Sequence, residues 1–311
     1  MTEGAKTEPP TGMPQWDRSL TEGPVEVTIV IPAYNEEKAL AKDIQALRAA
    51  MEATGRPYEI LVVDDGSSDA TAEAAVENGA RLLRHYSNRG GGAARKTGIR
   101  AARAEIVVVI DGDNTYPPHQ VPELLEYMNR CDMVVGDRTV EMGTQRALRT
   151  FAKRLIRWLA SYLTRKKIYD LNSGMRAFRK ETAMLYFNIL PEGHSWVSTI
   201  TIAYLASGLT VKYHPIEYYK RTGSSTFRPI ADTAAFIGLV FRTVMFFKPL
   251  RFFNPVVAAL AAAGVYKTVW IDKALGPNRI SESSMILLLG ALILFALGVL
   301  AELQVRLNRR W

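Results

Sequence analysis

The chain has one cysteine, Cys131, in 311 residues. That excludes an intramolecular disulfide and a thiolate metal cluster. Its four histidines, His85, His119, His194 and His214, are scattered without the spacing of zinc ligands. Residues 1–24 contain no apolar segment and are rich in Pro, Gly and Thr, so they read as a disordered tail, not a signal peptide. Acidic residues are missing over 142–169, where eight basic residues stand, and charge of either sign is missing over the 19 residues 283–301. A net charge of +8 fits nucleic acid, anionic lipid or phosphorylated substrates equally, so the location of the charge has to decide. Mean hydropathy near zero in so basic a chain points to soluble and membrane parts joined together. The length allows about two domains at ~150 residues each.

What is present centres on residues 106–118, IVVVIDGDNTYPP, where a β-branched run climbs to Asp111 and Asp113 before Asn114 and a Pro pair stop it. In a strand the two carboxylates would share a face, with Gly112 leaving the backbone between them uncrowded. Close carboxylates repel unless a cation lies between them. Hard oxygen donors at this spacing suit Mg²⁺ or Mn²⁺, bound together with a substrate's phosphates. A polar turn after a core strand is the alternative, since Asp and Asn are common turn formers.

Residues 25–31 predict a first strand ended by Pro32, and Leu40, Ile44, Leu47 and Met51 place an amphipathic helix over 36–51. A second strand over 58–63 runs into Asp64-Asp65-Gly66-Ser67-Ser68-Asp69, followed by a helix over 71–78. A third strand over 81–85 precedes Asn88-Arg89-Gly90-Gly91-Gly92 and a helix through Arg103. Such glycines either offer N–H groups to a phosphate or let a neighbour approach closely. A dinucleotide fold is disfavoured, because the third glycine of G-x-G-x-x-G is missing and the run does not follow the first strand. A helix over 123–129 and a strand over 133–135 deliver Gly136-Asp137-Arg138, and after residues 170–178 the sequence to Glu217 reads as helices with one more strand. Alternating strands and helices predict an α/β fold with a mostly parallel sheet. Ligands of such sheets bind at the carboxyl ends of the strands, so residues 32–36, 64–69, 111–113 and Arg138 should line one crevice.

In 142–169, Leu148, Phe151, Leu155, Trp158, Leu159 and Tyr162 fall opposite Arg149, Lys153, Arg154 and Arg157. A basic amphipathic helix of this kind lies on anionic membrane surfaces, and no recognised nucleic-acid module accompanies it. Residues 227–250 predict an interfacial helix. Two spans follow, 252–271, in which Lys267 can snorkel, and 283–301. With the basic tail after them, 251–311 is a membrane hairpin, and the positive-inside rule puts both chain ends and the soluble part in the cytoplasm. Small residues over 258–264 permit close packing with a second copy.

These motifs together resemble family 2 of the glycosyltransferases, and within it the polyprenyl-phosphate sugar transferases of the dolichyl-phosphate mannose synthase kind. The carrying residues are Pro32-Ala33-Tyr34-Asn35-Glu36, Val63 to Asp69, Asn88 with Gly90 and Gly92, Asp111-Gly112-Asp113, Ser173-Gly174-Met175-Arg176, and Arg221 with Gly223-Ser224-Ser225. The resemblance covers about residues 25–226. It implies a GT-A nucleotide-binding fold, a UDP- or GDP-sugar donor, a divalent metal and inversion at the anomeric carbon. It further implies that Pro32, Tyr34, Glu36, Asp64 and Asp65 hold the nucleoside, and that Asp111, Gly112 and Asp113 hold metal and diphosphate. Arg138, Ser173, Arg176 and Arg221 would surround the phosphate of a polyprenyl phosphate acceptor, with Asp170 orienting that acceptor or acting as base. The chain departs from the family at Gly91, where a lysine is common, at Thr115, where a further metal ligand often stands, and at 196–200, which has no acidic residue.

Two other readings remain open at this point. A processive polysaccharide synthase would need more spans and a Gln-x-x-Arg-Trp motif, whose glutamine is missing before Arg310-Trp311. An inert nucleotide-binding membrane adaptor would not need Asp111 and Asp113.

Overall fold

The computed structural model describes residues 15–16, 23–138, 160–162, 164–193, 195–219, 238, 245–275 and 280–308. The chain forms two compact units, residues 1–153 with 168–229, and residues 154–167 with 230–311.

The first unit is built on β1 (Gln15–Trp16), β2 (Val27–Ala33), β3 (Tyr58–Asp64), β4 (Arg81–Arg84), β5 (Ile106–Val109), β6 (Met133–Arg138), β7 (Arg176–Arg179) and β8 (Val211–Ile216), in the order β1-β4-β3-β2-β5-β7-β6-β8. β2 pairs in parallel with β3 and β5, and β3 with β4. β7 enters antiparallel between β5 and β6, so the carboxyl ends of β5 and β6 and the start of β7 share one edge. The helices are α1 (Glu37–Glu52), α2 (Thr71–Glu77), α3 (Gly91–Ala101), α4 (Val121–Glu126), α5 (Lys180–Met184) and α6 (Trp196–Ala206). Leu40, Ile44, Leu47 and Met51 of α1 are fully buried with Ile29, Ile31 and Val62 of the sheet, as their spacing predicts. Gly98 lets α3 press onto Val30 and Val63, since a Cβ there would run into both.

Several elements differ from the sequence reading. β1 lies inside the expected tail and pairs with β4 through Gln15↔Arg84 and Trp16↔Leu83. Beyond Phe178 the expected single strand is β8, but a further strand, β7, begins inside the 170–178 stretch; it is only four residues long and begins and ends in arginine, so its core residues Ala177 and Phe178 give too short a pattern to recognise. β5 stops at Val109, so strand alternation does not place Asp111 and Asp113. The backbone turns in against the core there, and a Cβ on Gly112 would meet Ile31 Cγ2 at 2.8 Å.

In the second unit, α7 (Pro249–Tyr266) continues through a π-helical stretch, Lys267–Asp272, and α8 runs over Glu282–Asn308. Pro249–Asp272 and Glu282–Leu307 are long and apolar enough to cross a membrane. Leu and Ile side chains such as Ile286, Leu292 and Leu300 face outward. Gly264 packs against Leu288 and Gly298 against Leu250 and Phe253, so these glycines close the hairpin on itself. Lys267 Nζ lies 3.1 Å from Asp272 Oδ1 at the connector end of the span, and Asp272, buried, also accepts from Ser281 and Ser284. Most of the expected basic helix over 142–169 and of the interfacial helix over 227–250 lies outside the described residues.

Candidate active site

The loops after β2 and β3 are stitched into one wall. Asn35, in the left-handed region at φ 54°, donates its N–H to Ser67 Oγ at 2.9 Å and accepts from Ser68 N at 2.9 Å. Glu36 N donates to Thr71 Oγ1. Pro32 and Glu36 are half-buried on this wall, and Tyr34 is exposed. Asp64 is fully buried, accepts from Ser67 N and forms an ion pair with Arg84 Nε at 2.9 Å.

Asp65 faces inward. It meets His85 Nδ1 at 2.6 Å and accepts from Arg89 N and Gly90 N at 3.0 and 2.7 Å, while His85 Nε2 contacts Thr97 Oγ1. Burial opposes its charge, but the His85 contact and the two backbone donors prevail and hold its pKa low. Asp65 therefore fixes the 88–90 loop. Gly90 and Gly92 lie against the backbone of residues 191–193, so close approach of a neighbour accounts for the glycine run.

At the end of β5, Asp111 Oδ1 receives Arg95 Nη2 at 2.5 Å, and Asp113 Oδ1 receives Thr115 N at 3.2 Å and Thr115 Oγ1 at 2.5 Å. Asn114, at φ 58°, donates its N–H to Asp43 Oδ2 at 3.0 Å. Asp43 is buried on α1, and burial, opposed by the Asn114 N–H and reinforced by the charge of Asp113, raises its pKa to about 7. Gly174 packs on the other side of Asp111, where a Cβ would fall inside the carboxylate. Among the described residues no group of three or more His, Cys, Asp or Glu side chains forms a metal cage. The donors present, two carboxylates oriented by Arg95 and by Thr115, fit a cation that shares its coordination with a ligand's phosphates.

Across the same sheet edge, Arg138 Nε and Nη2 donate to Asp170 Oδ2 and Oδ1 at 2.6 and 2.9 Å. Burial opposes both charges, yet the paired hydrogen bonds outweigh it, lowering the pKa of Asp170 and raising that of Arg138. Arg138 also stands 5.1 Å over the ring of Tyr218, which packs edge-on against Tyr116. Tyr116 Oη accepts from Gly174 N at 2.7 Å. Ser173 and Arg176 are fully buried. Arg176 donates to Ser173 O, to Val197 O at 2.8 Å and to Thr201 Oγ1 at 3.0 Å, and its pKa falls to about 10 through burial and the nearby Arg95. The expectation that Arg176 faces an acceptor thus meets a guanidinium spent on ordering its own loop against α6. Arg221 lies outside the described residues.

Sequence reasoning missed Asp43, Arg95, Tyr116 and His85. Two of them carried a signal: Asp43 falls on the 40, 44, 47 stripe of α1, and Arg95 on the buried face of α3 beside Gly92 and Ile99.

Residues 28–186 match the family described as glycosyl transferase family 2, and residues 248–307 match the GtrB C-terminal hairpin. The chain is 28% identical over 296 residues to glycosyltransferase AglJ of Haloferax volcanii, covering 92% of this chain and 96% of that one. It is 27% identical over 312 residues to dodecaprenyl-phosphate galacturonate synthase of Rhizobium johnstonii, covering 91% and 88%. It is 30% identical over 269 residues to undecaprenyl-phosphate 4-deoxy-4-formamido-L-arabinose transferase of Edwardsiella ictaluri, covering 82% and 80%. Among solved structures, glucosyl-3-phosphoglycerate synthase from Mycobacterium tuberculosis, in complex with Mn²⁺, uridine diphosphate and phosphoglyceric acid, superposes with a TM-score of 0.59 at 21% identity, over 71% of this chain and 78% of that one. At that identity the likeness is one of fold.

Proposed function

Because the chain belongs to glycosyl transferase family 2, we propose that it is a membrane-anchored inverting enzyme that moves one sugar from a UDP- or GDP-sugar to polyprenyl phosphate. One observation carries this reading. Asp111 and Asp113 on one side and the Arg138–Asp170 pair on the other occupy the same sheet edge, in a chain that also carries two membrane-length helices. Relatives named for dodecaprenyl- and undecaprenyl-phosphate support the acceptor class.

In this reading Pro32, Tyr34, Glu36 and Asp64 form the nucleoside wall, which Asp65 supports from behind. Asp111 and Asp113, with Gly112 between them, hold the diphosphate and a Mg²⁺ or Mn²⁺ ion. When bound, such an ion stabilises as a Lewis acid the negative charge that builds on the departing diphosphate. An acceptor phosphate oxygen attacks the anomeric carbon, the bond to the β-phosphate oxygen breaks, and its electron pair leaves with the nucleoside diphosphate. A single displacement inverts that carbon.

A phosphate monoester with a second pKa near ~6 is largely dianionic at neutral pH and needs no base. Asp170, held acidic by Arg138, is poorly suited to take a proton and instead aims the guanidinium at the acceptor. Ser173 and Arg176 shape the loop beneath it, and Arg221 is assigned to the acceptor phosphate from its motif alone. The basic residues at the ends of the hairpin, Lys248, Arg251 and Arg306, support a cytoplasmic active site by the positive-inside rule.

The test is transfer of label from a panel of UDP- and GDP-sugars to undecaprenyl phosphate by the full-length protein in detergent, with and without chelator. Metal-dependent label in the lipid phase from one donor is expected, and Asp113→Ala should abolish it. Donor hydrolysis without lipid product would overturn the acceptor assignment, and full activity of Asp113→Ala the metal assignment.

A further inference from the structure

The turn that follows Asp113 reaches beyond its own carboxylate. Thr115, buried, donates from N and Oγ1 to Asp113 Oδ1, and its carbonyl accepts from Tyr219 N at 2.9 Å, which ties residues 217–219 to this turn. The next residue, Tyr116, is 4% exposed and meets both halves of the site. Its Oη accepts from Gly174 N at 2.7 Å, and Gly174 is packed directly on the Asp111 carboxylate. Its ring meets that of Tyr218 edge-on, with centroids 5.2 Å apart, and Arg138 Cζ lies 5.1 Å over the Tyr218 ring. Arg138 and Asp111 both act on the phenol electrostatically, in opposite senses. Burial is the larger influence and raises its pKa, so the hydroxyl stays neutral. The ring belongs to the same core cluster as Val121 and Leu124, a place that phenylalanine would fill equally well. Core packing therefore accounts for the ring and not for the hydroxyl, a buried polar group with a specific partner.

We propose that Tyr116 is a positioning residue serving both halves of the site: its hydroxyl holds Gly174 against Asp111, where metal and diphosphate bind, and its ring holds Tyr218 beneath Arg138, where the acceptor phosphate binds. The proposal rests on the sugar-transfer reading and adds to it a residue that acts through its neighbours. The two roles separate by atom. Without the hydroxyl, Gly174 N loses its acceptor in the interior, and the 173–175 turn is no longer fixed against the carboxylate. Without the Tyr218 ring, Arg138 keeps Asp170 but loses the face that sets its other axis. Loss of the hydroxyl should thus be felt by the metal, and loss of the ring by the acceptor.

The test uses the full-length protein in detergent with two binding probes that need no sugar. One is Mn²⁺ with UDP or GDP, read by electron paramagnetic resonance, and the other is undecaprenyl phosphate, read by native mass spectrometry. Tyr116→Phe should weaken nucleotide-dependent Mn²⁺ binding by about fivefold and leave retention of undecaprenyl phosphate unchanged. Tyr218→Leu should do the reverse, weakening retention by about fivefold with Mn²⁺ binding unchanged. Tyr218→Phe, which keeps the ring, should retain the lipid as the wild type does. A general loss of packing would lower both quantities in both of the first two variants, so parallel losses would overturn the proposal. Full Mn²⁺ affinity in Tyr116→Phe, or retention in Tyr218→Phe as weak as in Tyr218→Leu, would overturn it too. Wild-type protein that binds Mn²⁺ with neither nucleotide, or that does not retain undecaprenyl phosphate, would overturn the sugar-transfer reading and the proposal with it.

Discussion

Arg138 and Asp170 face each other as a fork on a carboxylate, with two charge-assisted hydrogen bonds of 2.6 and 2.9 Å at side chains only 13% and 11% exposed. A pair this well matched fixes the plane of the guanidinium, and the ring of Tyr218 beneath it fixes the other axis. The consequence is an arginine aimed before any ligand arrives.

Asp170→Asn should therefore act on aim and not on proton transfer. We expect kcat/KM for the lipid acceptor to fall roughly 10²-fold, as for misplacement of a reacting group, while the shape of the pH–rate profile stays the same. Loss of the acidic limb of that profile in the variant would make Asp170 a base instead. Asp170→Ala, which leaves Arg138 buried without its partner, should in addition cost about 3–5 kcal/mol of stability in denaturant titrations.

Gly174 is a second point where a small change should have a large effect. A methyl group there would overlap the Asp111 carboxylate, and the same residue's N–H is held by Tyr116. Gly174→Ala is expected to cost about 1–3 kcal/mol of stability by overpacking and to lower sugar transfer far more than it lowers the folded fraction. Circular dichroism melting alongside initial rates separates the two.

The parts of this site that sequence could show are those carried by local patterns. β2 and β3 are buried runs ended by Pro32 and by Asp64-Asp65, so the strands and the residues at their tips were legible together. The same holds for Asp111 and Asp113 as a pair. What was not legible is long-range: Arg138 meets Asp170 across 32 positions, and Arg95 meets Asp111 across 16. The inward turn of Arg176 was hidden for a different reason, since its partners are mainly backbone carbonyls of Ser173 and Val197 that any sequence could supply.

Asp43 gives a prediction about pH. In the metal-free protein its pKa stands at about 7, against 3.8 for the unperturbed group, because burial and the charges of Asp113 and Glu36 outweigh Lys42 and the Asn114 N–H. The folded state then binds the proton more tightly than the unfolded state. This contribution to stability is full below pH ~4 and is lost as pH rises through about 7. Asp43→Asn, which keeps an acceptor for Asn114 N, should be less sensitive to pH than the wild type between 4 and 7 and relatively more stable at pH 8. Urea titrations in chelator at pH 5 and pH 8 read the difference, and parallel pH dependence of the two proteins would show that Asp43 titrates normally.

Arg95 is the residue through which the architecture of the site can be tested most directly. Position 91 has no side chain, and a Cβ there would stand 2.9 Å from Arg95 Nη1, so the guanidinium occupies space that any larger residue would fill. From there it reaches Asp111 Oδ1, with its Cζ 5.9 Å from the ring of Trp196. A cation so placed does two opposed things: it orients the carboxylate, and it competes for one of its oxygens with any metal ion. Removing it should separate them. Arg95→Met, which keeps apolar volume under Trp196, is expected to bind Mn²⁺ a few-fold more tightly by electron paramagnetic resonance, yet to lose roughly 10²-fold in kcat as Asp111 loses its fixed orientation. Gly91→Ala should shift both quantities the same way by displacing the guanidinium without deleting it. Arg95→Lys retains charge but not the planar fork, so it should recover the wild-type metal affinity without recovering the rate. If instead Arg95→Met weakens Mn²⁺ binding, orientation of Asp111 dominates its capture of the ion; if kcat is unchanged, the Arg95–Asp111 contact serves packing alone.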